Sequence, residues 1–338
     1  MSRVLVTGAT GFLGRHLVAE LLTQGHEVVA LVRGAASEFD VSGASIARGD
    51  VLDAASVEHA ARGAEAVFHC AGLVSRDPSD AARLQAVHVE GTKCTLDAAR
   101  RAGVKRAVVA STSGVVAVSE EPEPIDEAGR EPLDIIGAWP YYRTKLFAEH
   151  AAFERNDDGF EVVCVNPTLL LGPGDDRGSS TGDVLEIVEG RLAAMPSGGL
   201  SFVDARDAAS AMLLAWQAGR PGERYLVSAQ NLTMRAFAER ISRLTGAKLP
   251  SLSMPRSRLF ASLGARAANA VLKHLDSKQR VDRISAEMAQ YYWYVDASKA
   301  RAELGWAPRD PMDTLAETID DLRDRGAIWP DAIQPSYG

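Results

Sequence analysis

Close to the start of the chain the apolar run Val4-Leu5-Val6 passes into Thr7-Gly8-Ala9-Thr10-Gly11-Phe12-Leu13-Gly14 and straight on into an amphipathic helical stretch. A strand that turns into a helix within so few residues needs backbone conformations and close approaches open mainly to glycine. Gly8 permits the tight turn, Gly11 lets the main chain approach a pyrophosphate, and Gly14 lets the helix pack closely on the sheet, with its N-terminal amides facing phosphate oxygens. The spacing Gly-x-x-Gly-x-x-Gly differs by one residue from the usual dinucleotide fingerprint, so its position between strand and helix carries the inference.

The same strand-to-helix rhythm repeats along the chain. Strands are expected at residues 4–7, 27–32, 45–49, 66–69, 106–110 and 161–165, with helices over Phe12–Thr23, 80–102 and 141–153 between them. Alternation of this kind makes an α/β fold: a doubly wound Rossmann parallel sheet covered by helices on both faces. The rhythm loosens after the pair Asn166-Pro167, with helices expected at 205–217, 233–244 and 311–323 and a strand at Arg224–Val227. The expected division is a dinucleotide-binding core over residues 1–168 and a smaller C-terminal substrate-binding cap over 169–338, some of whose segments return to the core. Residues 118–140, rich in proline and acid, are too long for an ordinary connection and read either as an active-site lid or as a solvated surface excursion.

Composition excludes several classes. With 338 residues, 46% hydrophobic and 24% charged, the chain is neither disordered nor built around a membrane span. A net charge of −8 argues against nucleic acid as the main partner. The three cysteines, Cys70, Cys94 and Cys164, are odd in number and sit in apolar runs, so they read as buried thiols of a reducing, cytoplasmic compartment. No His/Cys/Asp group has metal-ligand spacing, and no metal is expected.

Arg33 stands at the end of the second strand, where an acid commonly accepts the ribose 2′-hydroxyl of NAD. A guanidinium there suits a 2′-phosphate and stacks on adenine, so NADP(H) is favoured, with NAD(H) the alternative. Asp50, after the third strand, is placed to accept from the adenine amino group. Tyr141 and Lys145 are four apart on an expected helix and share a face. Hydride arriving at a carbonyl carbon leaves charge on oxygen, which a positioned acid must protonate. A nearby ammonium is expected to draw the phenol pKa down into the working range. Ser113, just past a strand end, is the expected third donor to the substrate oxygen, with Ser111 and Thr112 as neighbours able to take the same task.

Together these stations resemble the extended short-chain dehydrogenase/reductase family over nearly the whole chain. They are Thr7 to Gly14, Gly49-Asp50-Val51, Ala71-Gly72, Glu90-Gly91-Thr92, Ser113, Tyr141 with Lys145, Asn166-Pro167, Gly172-Pro173, Phe202-Val203-Asp204 with Asp207-Ala208, and Leu304-Gly305-Trp306. Within that family the chain is most similar to the branch of dihydroflavonol reductases, 3β-hydroxysteroid dehydrogenases and hopanoid-associated epimerase-like proteins. The resemblance implies Ser113, Tyr141 and Lys145 as catalytic residues. It implies cofactor contacts at Thr7, Gly8, Thr10, Gly11, Phe12, Leu13, Gly14, Arg33, Asp50, Val51, Ala71, Gly72, Tyr141, Lys145, Asn166 and Pro167. It also implies a homodimer through the helices at 80–102 and 141–153, with a monomer left open. His88 departs from the asparagine usual at its station and reads as a satisfied polar core residue. No acidic pair follows Ser113, which disfavours elimination of water.

The implied activity is NADP(H)-dependent carbonyl reduction or alcohol oxidation on a hydrophobic small molecule that is steroid-, flavonoid- or polyketide-like. A nucleotide-sugar epimerase and a non-catalytic dinucleotide sensor or scaffold are the alternatives, the last opposed by retention of both Tyr141 and Lys145. Residues 255–294 form a locally basic arm, read as an anion-recruiting segment, a peripheral membrane contact, or a cap helix with a solvated basic face. Tyr291-Tyr292-Trp293-Tyr294 reads as pocket lining or core, and Asp204 and Asp207 as the anchor of a helix N-terminus.

Overall fold

Short β-branched runs become parallel strands, and the stretches between them become helices that cross back over the sheet. The computed structural model describes residues 1–34, 43–192, 194–254 and 283–328. It begins β1 (Arg3–Thr7), α1 (Phe12–Thr23), β2 (Glu27–Val32), β3 (Ser45–Arg48), α2 (Ala54–Ala61), β4 (Ala66–His69). Next come α3 (Ala81–Gln85), α4 (Gly91–Arg101), β5 (Arg106–Ala110), α5 (Leu133–Ile136), α6 (Pro140–Phe153) and β6 (Glu161–Pro167). The rest contributes β7 (Leu169–Leu171), α7 (Gly182–Val188), β8 (Gly199–Asp204), α8 (Ala205–Ala218), β9 (Arg224–Val227), β10 (Gln230–Thr233), α9 (Met234–Thr245), α10 (Arg283–Met288), α11 (Ser298–Leu304) and α12 (Pro311–Asp324).

Seven strands form one sheet in the order β3-β2-β1-β4-β5-β6-β9, parallel throughout. Strand order reverses between β1 and β4, and the crevice beyond their C-terminal ends is where doubly wound sheets take ligands. One face packs on α1 and α8 through Leu17, Leu21, Met212 and the buried Trp306. The other packs on α2, α4 and α6 through Val57, Leu96 and Ala152. Burial on both faces explains why β1, β4 and β6 read as unbroken apolar runs rather than alternating ones.

A second sheet, β10-β8-β7, pairs β7 with β8 in parallel and β10 antiparallel to β8. It packs on α9 and α12 through Phe202, Phe237, Leu315 and Ile319. Periodicity yields no strand at any of these three places, because β7 is only three residues long and the runs of β8 and β10 are interrupted by Ser201 and Asn231. The strand at β9, by contrast, lies in the large sheet beside β6.

Two other expectations change. The helix over 80–102 is not regular: the wider π turn Ala86–Glu90 separates α3 from α4, and Thr92 Oγ1 donates to the His88 carbonyl at 2.5 Å, a side-chain insertion of the kind that loosens a helical ladder. Residues 118–140 are neither a free lid nor a solvated loop. Bridges Ser119–Tyr292 and Ile125–Val295 staple the segment, and Val118, Ile136 and Trp139 are buried while its exposed charge lies at Glu120, Glu121, Glu123, Asp126, Arg130 and Asp134.

Candidate functional site

The glycine loop interlocks three backbones. Gly8 has φ +69°, and a Cβ on it would lie 2.5 Å from the Cys70 carbonyl carbon. One on Gly14 would lie 2.1 Å from the Gly8 carbonyl oxygen. The loop is therefore pressed between the end of β4 and the first turn of α1, while Thr10, Gly11, Phe12 and Leu13 remain half-exposed. Gly11 begins α1 with no side chain capping its amides, which fits a site for the pyrophosphate of a dinucleotide. Thr7 does not share that surface. It is fully buried, and its Oγ1 lies 2.8 Å from His69 Nδ1, because the residue belongs to β1 beneath the loop.

At the far end of the crevice Arg33 and Asp50 come together, with 4.0 Å between guanidinium and carboxylate. The Arg33 side chain is 65% exposed, available to a charged ligand. Asp50 also accepts from the Leu52 amide at 2.9 Å. Val51 is buried, Ala71 half-buried and Gly72 exposed. Asn166 and Pro167 are both buried, and the Asn166 amide donates to Glu149 at 2.6 Å and to the Thr112 carbonyl at 3.2 Å. The Asn166 side chain is thus committed to internal bracing between α6 and the Thr112 turn, on a β6 that lies between β5 and β9.

Pro140 opens α6 with its fixed φ and missing amide, the position in a helix that proline suits. One turn on, Tyr141 and Lys145 occupy the same face. The single helical turn Ser113–Val115, capped by Thr112, packs against the start of α6, and this brings the Ser113 segment to the same end of the sheet. Lys145 Nζ donates to the Ala110 carbonyl at 2.6 Å. Burial lowers the Lys145 pKa, opposed by the negative charge of Glu149. Burial also pushes the Tyr141 phenol up to about 12. Burial thus acts on the phenol against the downward pull expected from Lys145.

Around Tyr141 the surroundings are aromatic. Tyr142 packs edge-on against it at 5.0 Å between centroids, and Trp293 lies 4.8 Å from Tyr142 and stacks on Trp139 at 5.8 Å. Any side chain at Gly114 would strike Tyr142 and Trp293. Tyr291, Tyr292 and Tyr294 are buried, whereas Trp293 is half-buried, so the aromatic run divides between core and wall.

Histidines complete the floor. His88 is buried at 2% exposure, accepts from the Leu73 amide at Nε2 (3.1 Å) and lies 2.9 Å from Thr144 Oγ1 at Nδ1. Because the amide must donate, the proton sits on Nδ1. Its ring meets Tyr141 edge-on at 5.5 Å. Burial and the Lys145 charge bring the pKa values of both His69 and His88 down to about 3, so both are neutral, and His88 is the satisfied polar residue expected. Beside them is a small cavity of about 10 Å³ lined by residues that include Ser111, Lys145 and Glu149, on the order of one water molecule.

Glu149 is the participant that sequence reasoning missed. It is fully buried, bonded to Asn166 and paired with Arg224 Nε at 2.8 Å. Its signal was the i+4 spacing continued from Tyr141 through Lys145. Asp204 does cap α8, accepting from the Arg206 amide at 2.9 Å, and Asp207 holds Arg309 at 2.9 Å. Both anchor structure away from Tyr141. Cys164 is buried but Cys70, just past the end of β4, and Cys94, within α4, are only half-buried. Residues 255–282 of the basic arm lie outside the described residues. Among the described residues no helix is long and apolar enough to cross a membrane, and no cluster of His, Cys, Asp or Glu is arranged to hold a metal.

Comparison with known proteins gives the family and the fold. Residues 4–228 match the model of the NAD dependent epimerase/dehydratase family. The chain is similar to sterol demethylase protein B of Methylococcus capsulatus, 33% identical over 96% of this chain and 99% of the relative. It is also similar to a putative dihydroflavonol 4-reductase of Synechocystis, 31% identical over 96% and 95%. Among solved structures, a nucleoside-diphosphate-sugar epimerase from Pseudomonas aeruginosa superposes with a TM-score of 0.75 at 27% identity, covering 96% and 98% of the two chains.

Proposed function

This chain belongs to the NAD-dependent epimerase/dehydratase family, and on that premise we propose that it is an NADP(H)-dependent oxidoreductase interconverting a hydrophobic ketone and its secondary alcohol. The observation that carries the reading is the juxtaposition of Tyr141, Lys145 and the Ser113 turn at the switch-point end of the sheet, beside a glycine loop suited to a dinucleotide. Aromatic walls around Tyr141 favour an apolar substrate over a sugar, as does the name of the Synechocystis relative. Exposed Arg33 favours NADP(H) over NAD(H).

A nicotinamide cofactor held by the Gly8 to Gly14 loop would supply hydride to the carbonyl carbon. The Tyr141 hydroxyl gives its proton to the carbonyl oxygen, and the Ser113 hydroxyl donates to the same oxygen as charge develops there. Lys145, as an ammonium, stabilises the tyrosinate left behind. In the oxidative direction the tyrosinate takes the alcohol proton. Because burial alone raises the phenol, Lys145 has the larger task of offsetting that rise once the site is assembled. His88 holds Thr144 and the edge of the Tyr141 ring in place.

The experiment is Tyr141→Phe. Turnover, read as NADPH oxidation at 340 nm over a ketone panel, should fall by at least about 10³-fold, within the usual range for general acid/base catalysis, with NADPH affinity within about threefold. Unchanged turnover overturns the mechanism. The second reading, nucleotide-sugar epimerisation, is favoured by the Pseudomonas aeruginosa neighbour. Turnover of UDP-sugars without net cofactor change would establish it in place of the first.

A further inference from the structure

Resting on that reading of Tyr141 and Lys145, we propose that Glu149 is a positioning residue for the proton-transfer pair. It braces the Ser113 turn against α6 through Asn166 and supplies the counter-charge beneath Lys145. Three features carry the proposal. The carboxylate is 1% exposed, and burial of a charge is costly unless it is paired and hydrogen-bonded. Its two oxygens reach separate elements: one accepts from Asn166 Nδ2 at 2.6 Å and the other meets Arg224 Nε at 2.8 Å. Asn166 in turn donates to the Thr112 carbonyl at 3.2 Å. One side chain on α6 therefore fixes β6, β9 and the turn that presents Ser113.

Neutralising Arg224 alone would not require a fully buried acid, since Glu131 also approaches Arg224, at 3.8 Å, from a more exposed position. Spacing supplies the other half of the case. Tyr141, Lys145 and Glu149 stand at i, i+4 and i+8 along one face, which places the carboxylate about one turn from the ammonium. The other titratable groups facing Lys145 are His69 and Cys70 at the end of β4, His88 in the π turn and Cys164 on β6. Both histidines are neutral, burial raises the Cys70 thiol to about 12, and burial also raises the Cys164 thiol well above its usual value. In this set Glu149 is the group that most opposes the lowering of the Lys145 pKa by burial.

Glu149→Gln keeps an acceptor for Asn166 and removes the charge. Losing a negative charge about one turn away should lower the Lys145 pKa by about one unit, as expected for a charge roughly 6 Å away at intermediate dielectric. The alkaline limb of the reductive pH profile, set by Tyr141 two turns away, should move down by a smaller amount. We expect kcat to fall about tenfold or more with KM for NADPH within about threefold. Selective ¹³C labelling of lysine, with the Lys145 Cε resonance assigned by Lys145→Arg, reads the same shift without any substrate. Should the single variant fail to fold, Glu149→Gln with Arg224→Met removes both charges and should show a smaller shift of the same sign. A Lys145 titration and pH profile identical to the parent in a folded variant overturn the proposal. If the parent turns over no ketone while the Lys145 resonance still moves, the functional reading falls and the charge role of Glu149 stands.

Discussion

Replacing Gly14 by alanine tests the cofactor loop through its packing. The added Cβ would sit 2.1 Å from the Gly8 carbonyl oxygen, 2.8 Å from its carbonyl carbon and 2.9 Å from the Ala9 Cα. All three are backbone atoms, so no flexible side chain can move aside, and relief to an ordinary contact needs a displacement of about 1 Å. Retreat is blocked on the other side, where Gly8 at φ +69° already lies against the Cys70 and Ala71 backbone. The loop must therefore shift toward the face offered to phosphate. Overpacking of this kind costs about 1–3 kcal/mol. Where the cost appears as misplaced amides, NADPH Kd should rise by roughly 10- to 100-fold, since each tenfold corresponds to about 1.4 kcal/mol. Fluorescence titration of NADPH measures the affinity, and a thermal melt should show Tm lower by a few degrees. Gly182→Ala is the control: its Cβ meets nothing within 4 Å, so NADPH affinity should match the parent and Tm should not fall. NADPH affinity within twofold of the parent for Gly14→Ala would refute this reasoning.

Arg33→Ala should weaken NADPH about tenfold or more, the scale of a lost charge-assisted hydrogen bond, while NADH changes less than twofold; equal losses for both cofactors would remove Arg33 from the 2′-phosphate. His69 and His88 titrate near 3 when folded against an ordinary 6.5, so the unfolded chain binds more protons between those values and stability falls as pH drops below about 6.5, by up to about 1.4 kcal/mol per pH unit for each. Urea midpoints from pH 7 to pH 4.5 should show this, and His88→Asn should flatten the slope; a slope unchanged in the variant contradicts it. Cys164, fully buried with its thiol held neutral, should resist iodoacetamide at pH 8 until the chain unfolds, whereas labelling of the folded protein at Cys164 would show that β6 opens.

Much of the core was legible because its signals are local. The glycine loop, the β-branched runs of β1, β2, β4, β5 and β6, and the Tyr141/Lys145 spacing each declare themselves within about ten residues, where backbone sterics and helical periodicity act. Thr7 and Asn166 were legible only in part for the same reason. Their positions beside the site are local facts, but the direction of their side chains depends on what lies across the sheet.

The sequence by itself determined a parallel α/β sheet, a dinucleotide turn at Gly8 to Gly14, and a tyrosine and lysine on one helical face, because glycine conformation and residue spacing are properties of neighbouring residues. Tertiary structure alone decided that the Lys145 ammonium rests on the Ala110 carbonyl, that burial raises Tyr141, and that Glu149 joins α6 to Asn166 and Arg224. Those contacts link residues 35, 17 and 75 positions apart along the chain. Their energies come from burial and charge, which have no value until the sheet and its helices have closed around them.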